Sequence, residues 1–283
     1  MASGTKKSMV NRWPFFYGWV IMAVGTLGII MTSPGQTYTV SIFIEYLIED
    51  LEMSRSLIST LYSVGTLTGS FSLPFWGRKI DQQGPRKMAT WIAIFFGLAC
   101  VYMGFVQSAL MLGVGFIFIR MLGQGSLGLV SQTVINQWWV RKRGLVSGIS
   151  GLLMALLGMG AFPNLVYALI SAFEWRLAYG ILGLILLFLM APMAYFLFRD
   201  QPEDYGLNPD GIKSSYTGEG QTNPPVAILE ENWSLQEALK TSAFWILLVG
   251  LAAFAMFSTG LFFHLVSMFS DHGLDASVAA SIY

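Results

Sequence analysis

Charged residues are scarce in this chain. Asp, Glu, Lys and Arg make up 11% of the 283 residues, whereas a soluble domain carries about 25%. Together with 54% hydrophobic residues, this shortage argues against a water-soluble domain and favours an integral membrane protein. The formal net charge is zero, so the chain lacks the basic surface that binding to nucleic acid requires.

Cysteine and the signatures of several enzyme classes are also missing. Cys100 is the only cysteine, so no disulfide can form within the chain. There is no Walker A loop, no H-E-x-x-H and no G-x-S-x-G. The stretch GQGSLG at 123–128 fits G-x-G-x-x-G, but it lies in an apolar run, and no acidic residue follows before Glu174. We therefore expect no enzyme activity, no ATP-driven transport within this chain, and no metal or cofactor.

Long apolar runs dominate instead. Each of seven runs is close to the length of about 20 residues that crosses a bilayer, so the sequence predicts seven spans. They lie at roughly 17–44, 55–76, 88–107, 109–135, 145–171, 177–198 and 243–268. The first is too long for a cleaved signal peptide and is expected to remain. An eighth span is predicted to begin near Ala276, so we expect a fragment of a longer protein.

Lys and Arg fall almost entirely on one side of these spans. With the N-terminus inside, thirteen cations lie in inside segments and two in outside loops. Because positively charged loops stay in the cytoplasm, we expect a cytoplasmic N-terminus. The inside residues are Lys6, Lys7, Arg12, Arg78, Lys79, Arg86, Lys87, Arg141, Lys142, Arg143, Arg199, Lys213 and Lys240; the outside residues are Arg55 and Arg176.

The spans divide into two unequal groups. We predict a cytoplasmic N-terminus at 1–16, a six-helix N-terminal bundle at 17–198, a cytoplasmic central linker at 199–241 and the start of a C-terminal bundle at 242–283. The linker is polar and contains four prolines, which is typical of a flexible segment. Near its end, Ser234 and Glu237 have capping-box spacing, which predicts a short surface helix before the seventh span.

One inside connection, GRKIDQQGPRK at 77–87, contains more than the basic charge that any inside loop needs. Gly77 and Gly84 permit tight bends, and Pro85 is suited to starting the return into the third span. Asp81 can accept hydrogen bonds from a helix start or pair with a nearby arginine. The sequence therefore predicts that the second span ends at Gly77 and a loop follows.

The spacing Gly-x3-Asp-x2-Gly-x-Arg-Lys resembles the signature loop between the second and third helices of the major facilitator superfamily. Lys79 and Ile80 depart from the Leu-Ala pair that is common there. The resemblance implies an all-α membrane fold of twelve helices, of which about five are absent here. It also implies that Gly77, Asp81, Gly84 and Arg86 help to latch the two halves of the molecule in one state.

Other stretches favour one branch of this superfamily. RMLGQG at 120–125 resembles the Arg…Gln-Gly motif of the fourth helix, with one extra residue between Arg and Gln. Four further stretches resemble segments of the monocarboxylate and oxalate/formate transporters. They are NQWWVRKRG at 136–144, EWR at 174–176, RDQPEDYGLNPDG at 199–211 and FHLVSMFSDHG at 263–273.

Arg120 is the main candidate within the membrane. A charge near the middle of a span costs roughly 2.5–3.5 kcal/mol on insertion scales, so Arg120 must face protein or water. Gln124 and Ser131 fall on nearly the same helical face and extend a polar stripe. Arg120 either attracts an anionic substrate or takes part in ion coupling, or it is a structural arginine that binds backbone carbonyls.

Breaks in the spans supply further candidates. Pro34 and Gly35 lie inside the first span and predict a break; because broken helices often line transporter sites, Gln36 and Tyr38 are candidate substrate-binding residues. Asn164, beside a proline in the fifth span, is a weaker candidate. Each of these features could equally be an ordinary kink.

His264, near the outer end of the seventh span, is a candidate for proton coupling because the pKa of a free histidine is near neutral. A solvated or structural histidine is the alternative.

The resemblance and Arg120 together lead us to expect a secondary transporter of a small organic anion, such as a monocarboxylate, working by alternating access as symporter or antiporter. Expected partners are the solute, the lipid bilayer and, for a proton-coupled transporter, protons, in a plasma (inner) membrane protein that is monomeric when complete. A drug or sugar transporter is an alternative. A seven-helix receptor is another, but receptors of that kind have an outside N-terminus, opposite to the charge count.

Overall fold

The structure, a computed structural model, describes Val10 and residues 14–211 and 234–272. Most of the N-terminal segment, residues 212–233 of the linker and the eighth span expected near Ala276 lie outside these residues. The described part is helical and contains no strand. The predicted all-α fold is therefore confirmed.

The first span consists of Gly18–Ile30, a 3-10 turn at Ser33–Gly35 and Thr37–Leu51. The second, third and fourth spans are Arg55–Gln83, Pro85–Met103 and Ala109–Trp138. The fifth and sixth lie within Arg143–Leu197, and the seventh is Ser242–Asp271. A short helix, Leu235–Ala238, precedes the seventh span and starts with the predicted capping box of Ser234 and Glu237.

Five of the described helices are long and apolar enough to cross a membrane. One of them, Arg143–Leu197, has 55 residues and would measure about 80 Å as a straight helix, more than twice the bilayer core. Glu174, with a φ of 66° and a ψ of 162°, interrupts it and separates the fifth span from the sixth. Arg55–Gln83 is not among the five, because serine and threonine dilute its apolar residues, yet it has 29 residues and runs beside the fourth span.

The connections between successive spans lie alternately at the two ends of the bundle. At the end we call the basic end (Gly84, Arg141 and Asp200), the Tyr17 hydroxyl donates to the carbonyl of Leu197 at 2.8 Å. Trp138 Nε1 donates to the carbonyl of Asp200 at 2.8 Å. The chain start, the fourth–fifth connection and the end of the sixth span therefore lie together.

The other connections meet at the opposite end (Glu45, Asp50 and Arg176). Arg176 pairs with Asp50 and donates to the carbonyl of Val106 at 2.5 Å, which joins the sixth span to the first–second and third–fourth connections. Glu45 pairs with Arg55 across the first–second connection. The spans thus run alternately up and down, as seven crossings require.

The segment 198–211 ties the basic end together. Asp210, with a φ of 61°, accepts hydrogen bonds from the backbone N–H groups of Val140, Arg141 and Lys142 at 3.2, 2.8 and 3.0 Å. These groups precede the start of the fifth span, where the partial positive charge of a helix start stabilises a carboxylate. Burial raises the pKa of Tyr205 in the same segment above its ordinary value of 10, and nearby Arg199 opposes the shift.

The junction between the second and third spans differs from the predicted loop. The second helix continues through Gly77 to Gln83, and the third begins at Pro85. Gly84, with a φ of 84° that favours glycine, makes the entire turn. A Cβ on Gly84 would lie 2.4 Å from Asp200 Oδ1, so glycine is also needed for the close approach of this carboxylate.

Small residues allow the spans to approach each other closely. A Cβ on Gly65 would lie 2.9 Å from the backbone of Phe116 in the fourth span, and Gly97 and Gly183 face each other between the third and sixth spans. A Cβ on Gly144 or Gly148 would meet no atom of another described helix within 4 Å.

Candidate functional site

Three non-α segments meet around Arg120. The predicted break in the first span is confirmed as the turn Ser33–Gly35. The fourth span contains a π-helical segment at Arg120–Leu127, and the fifth contains another at Met154–Ala161. A Cβ on Gly35 would lie 2.3 Å from the carbonyl oxygen of Ile119, which shows how closely the first and fourth spans approach each other.

The two π-helical segments were not predicted from the sequence. π-helical turns are often associated with functional sites, and the glycines in MLGQGSLG and LLGMGA are the only sequence signal for them here. The fifth-span segment reaches the same layer, because a Cβ on Gly158 would lie 3.5 Å from Ser33 Oγ. The break and both π-helical segments thus form one layer inside the bundle.

Arg120 lies in this layer and is 3% exposed. Its Nε donates to Thr66 Oγ1 in the second span at 2.9 Å, and its Nη1 donates to the carbonyl of Gly35 at 2.9 Å. Its guanidinium lies 4.7 Å from the ring centre of Tyr62, within cation–π range. Within the described ranges, no carboxylate pairs with Arg120 and its Nη2 makes no hydrogen bond.

Tyr62 and Thr66 were missed by sequence reasoning, although they lie four residues apart on one face of the second helix. The Tyr62 hydroxyl donates to Thr37 Oγ1 at 2.8 Å. The Tyr62 ring centre also lies 4.9 Å from that of Phe263 in the seventh span. Tyr62 therefore connects the Arg120 cluster to the only helix of the second group that the structure describes at length.

Gln36 and Tyr38, the candidates at the break, make local contacts. Gln36 is half-buried, and its Nε2 donates to Thr32 Oγ1 at 3.0 Å. Tyr38 is 4% exposed, and its hydroxyl shares a hydrogen bond of 2.8 Å with Ser33 Oγ. These two hydrogen bonds lie within the break itself.

Gln124 and Asn164 are exposed. Asn164 Nδ2 donates to the carbonyl of Gly160, which belongs to the π-helical turn before it. The polar stripe from Arg120 through Gln124 to Ser131 stays a prediction: Arg120 and Ser131 are both buried, and Gln124 is exposed. A Cβ on Gly28 of the first span would lie 2.3 Å from the Ser131 hydroxyl.

The predicted coupling and gating residues are spread over two places. His264 is exposed in the seventh span, next to Phe263. Gly77 lies inside the second helix, where a Cβ on it would lie 3.9 Å from Leu129 Cδ2. Asp81 is exposed and has no hydrogen bond or ion pair among the described residues.

Arg86 contacts the sixth span and its end rather than Asp81. Its Nε donates to the carbonyl of Tyr195 at 2.7 Å, and its backbone N–H donates to Asp200 Oδ1 at 3.0 Å. The Asp200 carboxylate thus accepts a hydrogen bond from the start of the third span. The sequence suggested this role for Asp81.

Comparison with known proteins gives the family. The family model of the Major Facilitator Superfamily matches residues 25–283, and the chain belongs to this superfamily. This confirms the resemblance seen in the GRKIDQQGPRK stretch. Membership also excludes the seven-helix receptor.

Two similar proteins are transporters by name. The chain is 29% identical over 153 residues to a probable sulfoacetate transporter of Cupriavidus necator, a match covering 52% of this chain and 35% of that protein. It is 24% identical over 243 residues to the oxalate:formate antiporter of Oxalobacter formigenes, covering 84% of this chain and 50% of that protein. The matches thus span half or less of the length of these relatives. The family and both names support a transporter rather than an enzyme.

Proposed function

We propose that this chain is part of a secondary transporter that moves a small organic anion, of the monocarboxylate kind, across a membrane. The observation that carries the proposal is Arg120, a buried cation with no carboxylate partner among the described residues. Unpaired charges inside a membrane protein are costly and mark substrate or ion pathways. A transported carboxylate would supply the missing negative charge.

The site's backbone also supports this proposal. Discontinuous helices in transporters surround substrate sites near the middle of the membrane. The break at Ser33–Gly35 and the π-helical turn that begins at Arg120 place irregular backbone beside the cation. Gln36, Tyr38, Gln124 and Asn164 remain candidates for the polar wall around the substrate, and the second bundle would complete it.

The named substrates of the two relatives agree in charge. Sulfoacetate, oxalate and formate are all small organic anions. By name, one relative is a transporter and the other is an antiporter. Their low identity leaves the choice among such anions to experiment.

Alternating access is the expected mechanism, with the two bundles rocking about the central site. The seventh span contacts the first bundle near Phe263 and Leu265, which are 7% and 8% exposed. These contacts favour a state in which the two bundles touch at the opposite end, and we propose that this state is open at the basic end.

The charge distribution supports a cytoplasmic basic end. Arg78, Lys79, Arg86, Lys87, Arg141, Lys142, Arg143 and Arg199 lie near that end, and Arg55 and Arg176 lie near the other. We therefore infer a cytoplasmic N-terminus, which makes the proposed state inward-facing, and we propose a plasma membrane location from the family resemblance. Asp81 and His264 remain proposed gating and proton-coupling residues, with partners to be sought on the second bundle.

Uptake by proteoliposomes tests the proposal. The intact protein should take up a labelled monocarboxylate saturably, either driven by a proton gradient or in exchange for internal anion. Arg120→Gln should reduce uptake at least about 100-fold, the loss expected when a buried charged hydrogen bond of roughly 3 kcal/mol is removed. Uptake by Arg120→Gln at the parental rate contradicts the role of Arg120.

Matched variants separate binding from folding, because Arg120 also ties the first and second spans together. Thr66→Val removes one partner of Arg120 but keeps the charge. It should therefore lower the thermal stability while uptake persists. Arg141→Gln removes an exposed cation and should change neither. Absence of uptake of every anion by a folded parental protein would exclude the anion proposal.

A further inference from the structure

A cavity separate from the Arg120 cluster lies on the outside of the bundle at the basic end. It has a volume of about 460 Å³ and lies between the third and sixth spans. We propose that this cavity binds the phosphate headgroup of an anionic phospholipid. The lining residues are Gln83, Arg86, Lys87, Thr90, Trp91, Ile94, Tyr195 and Asp200.

Two cations face this cavity. The Arg86 guanidinium lies 4.9 Å from the ring centre of Tyr195 and its Nε donates to the Tyr195 carbonyl, which leaves both terminal nitrogens without a hydrogen bond in the described part of the chain. Lys87 is exposed and likewise has no partner there. Asp200 adds one negative charge, but its Oδ1 already accepts the Arg86 N–H at 3.0 Å. The lining therefore carries a net positive charge and free donors for a phosphate.

Exposed apolar side chains continue from the cavity along the third span. Trp91 and Phe95 stack with ring centres 5.8 Å apart, and they are 49% and 47% exposed. Leu98 follows at 51%, and Phe188 of the sixth span is 76% exposed. Side chains of this kind, on the outside of a membrane bundle, lie against acyl chains.

The order of the cations and the aromatic rings along the membrane normal matches a lipid rather than a free anion. Trp91 lies about 7.5 Å along the helix from Arg86, which places an aromatic ring just below the cations. Tryptophan and tyrosine are enriched at this level of a membrane, between the headgroups and the chains. A ligand that satisfies both parts needs a phosphate and a long hydrocarbon chain, which free phosphate lacks.

Native mass spectrometry of the intact, detergent-purified protein tests the assignment. Phosphatidylglycerol should bind at least about fivefold more tightly than phosphatidylcholine. Lys87→Gln, which removes no described contact within the protein, should weaken phosphatidylglycerol binding about fivefold. Arg86→Gln with Lys87→Gln should weaken it about tenfold or more.

Arg141→Gln with Lys142→Gln is the matched control, because it removes two exposed cations from the same end without touching the cavity. Binding within twofold of the parent is expected for this control. Equal binding of both lipids, or an equal loss in the two double variants, overturns the proposal. Displacement of phosphatidylglycerol by millimolar inorganic phosphate would identify a free-anion site and would also overturn it.

Discussion

At the scale of single residues, Arg120 is a candidate for both of the functions that sequence reasoning treated as alternatives. Its Nε donates to Thr66 and its Nη1 donates to the carbonyl of Gly35, so it is a structural arginine. Its charge has no carboxylate partner among the described residues, so it is also a candidate for anion binding. Lysine would keep the charge but cannot reproduce the planar fork that reaches both partners.

Two aspartates near the second–third junction allow a test of which carboxylate stabilises the fold. Asp200→Ala removes the acceptor of the Arg86 N–H at the start of the third span and should cost about 1 kcal/mol of stability, as the loss of a helix cap does. Asp81→Ala removes a side chain with no described partner and should leave stability unchanged. Thermal unfolding followed by tryptophan fluorescence checks both variants.

The opposite ranking, with Asp81→Ala less stable than Asp200→Ala, would falsify this assignment. If Asp81 is a gating residue, as the family resemblance implies, Asp81→Ala should change the transport rate while the unfolding temperature stays the same. Both measurements on the same purified variant separate the two roles.

At the scale of helices, the break in the first span depends on a close contact that only glycine allows. A Cβ on Gly35 would lie 2.3 Å from the carbonyl oxygen of Ile119. Because that atom belongs to the backbone, it cannot rotate away as a flexible side chain could. Gly35→Ala should therefore push the first and fourth spans apart and disturb the carbonyl that Arg120 binds.

We expect Gly35→Ala to lower stability by about 1–3 kcal/mol, the range for overpacking, and to abolish anion uptake. Gly180→Ala in the sixth span is the control, because no described atom lies within 4 Å of its Cβ position. Alanine in that helix should be neutral or stabilising by about 0.5–1 kcal/mol. The measurement is thermal unfolding of both variants, and equal unfolding temperatures would contradict the close-contact argument.

The sequence predicted the break more readily than the π-helical segments, and the reason is local. Proline in the interior of a helix removes a backbone hydrogen bond, and Pro34 followed by Gly35 indicates a break, whereas Pro74 lies within the continuous second helix. A π-helical turn at Arg120–Leu127 uses residues that an α-helix also accepts, and contacts with neighbouring spans select it. The predicted end of the second span at Gly77 is wrong for a similar reason: glycine is tolerated within a packed helix and does not have to end it.

At the scale of the whole molecule, the contact between Tyr62 and Phe263 joins the two groups of spans on one side of the Arg120 layer.

The sequence contains a single cysteine, Cys100, and it is fully buried. A buried thiol in apolar surroundings is inert towards reagents. Labelling of cysteines introduced into this chain therefore does not require removal of Cys100.

Labelling can report which side of the membrane reaches the site. Gln124→Cys should react with a membrane-impermeant maleimide added from the basic end, because Gln124 is exposed in the fourth span and the proposed state is open on that side. Reagent added from the opposite end should react at least about tenfold more slowly. Phe188→Cys is the control; Phe188 is 76% exposed but is expected to face lipid, where a thiolate does not form.

Labelling of Gln124→Cys as slow as that of Phe188→Cys would place both side chains in lipid and remove Gln124 from the proposed cavity. Faster labelling of Gln124→Cys from the opposite end would contradict the inward-facing state. Addition of a transported anion should alter the rate in either case, since substrate shifts the population between the two states.

The sequence by itself determined the class of the protein, its helical spans and the break at Pro34–Gly35. Hydrophobicity over about 20 residues, the side of the cations and the chemistry of proline are properties of the chain alone. Tertiary structure decided what each polar residue contacts: Asp200 rather than Asp81 at the start of the third span, Tyr62 and Thr66 beside Arg120, and Ser131 in the core. These contacts join residues far apart in the chain, because packing against neighbouring spans sets both the register and the rotation of each helix.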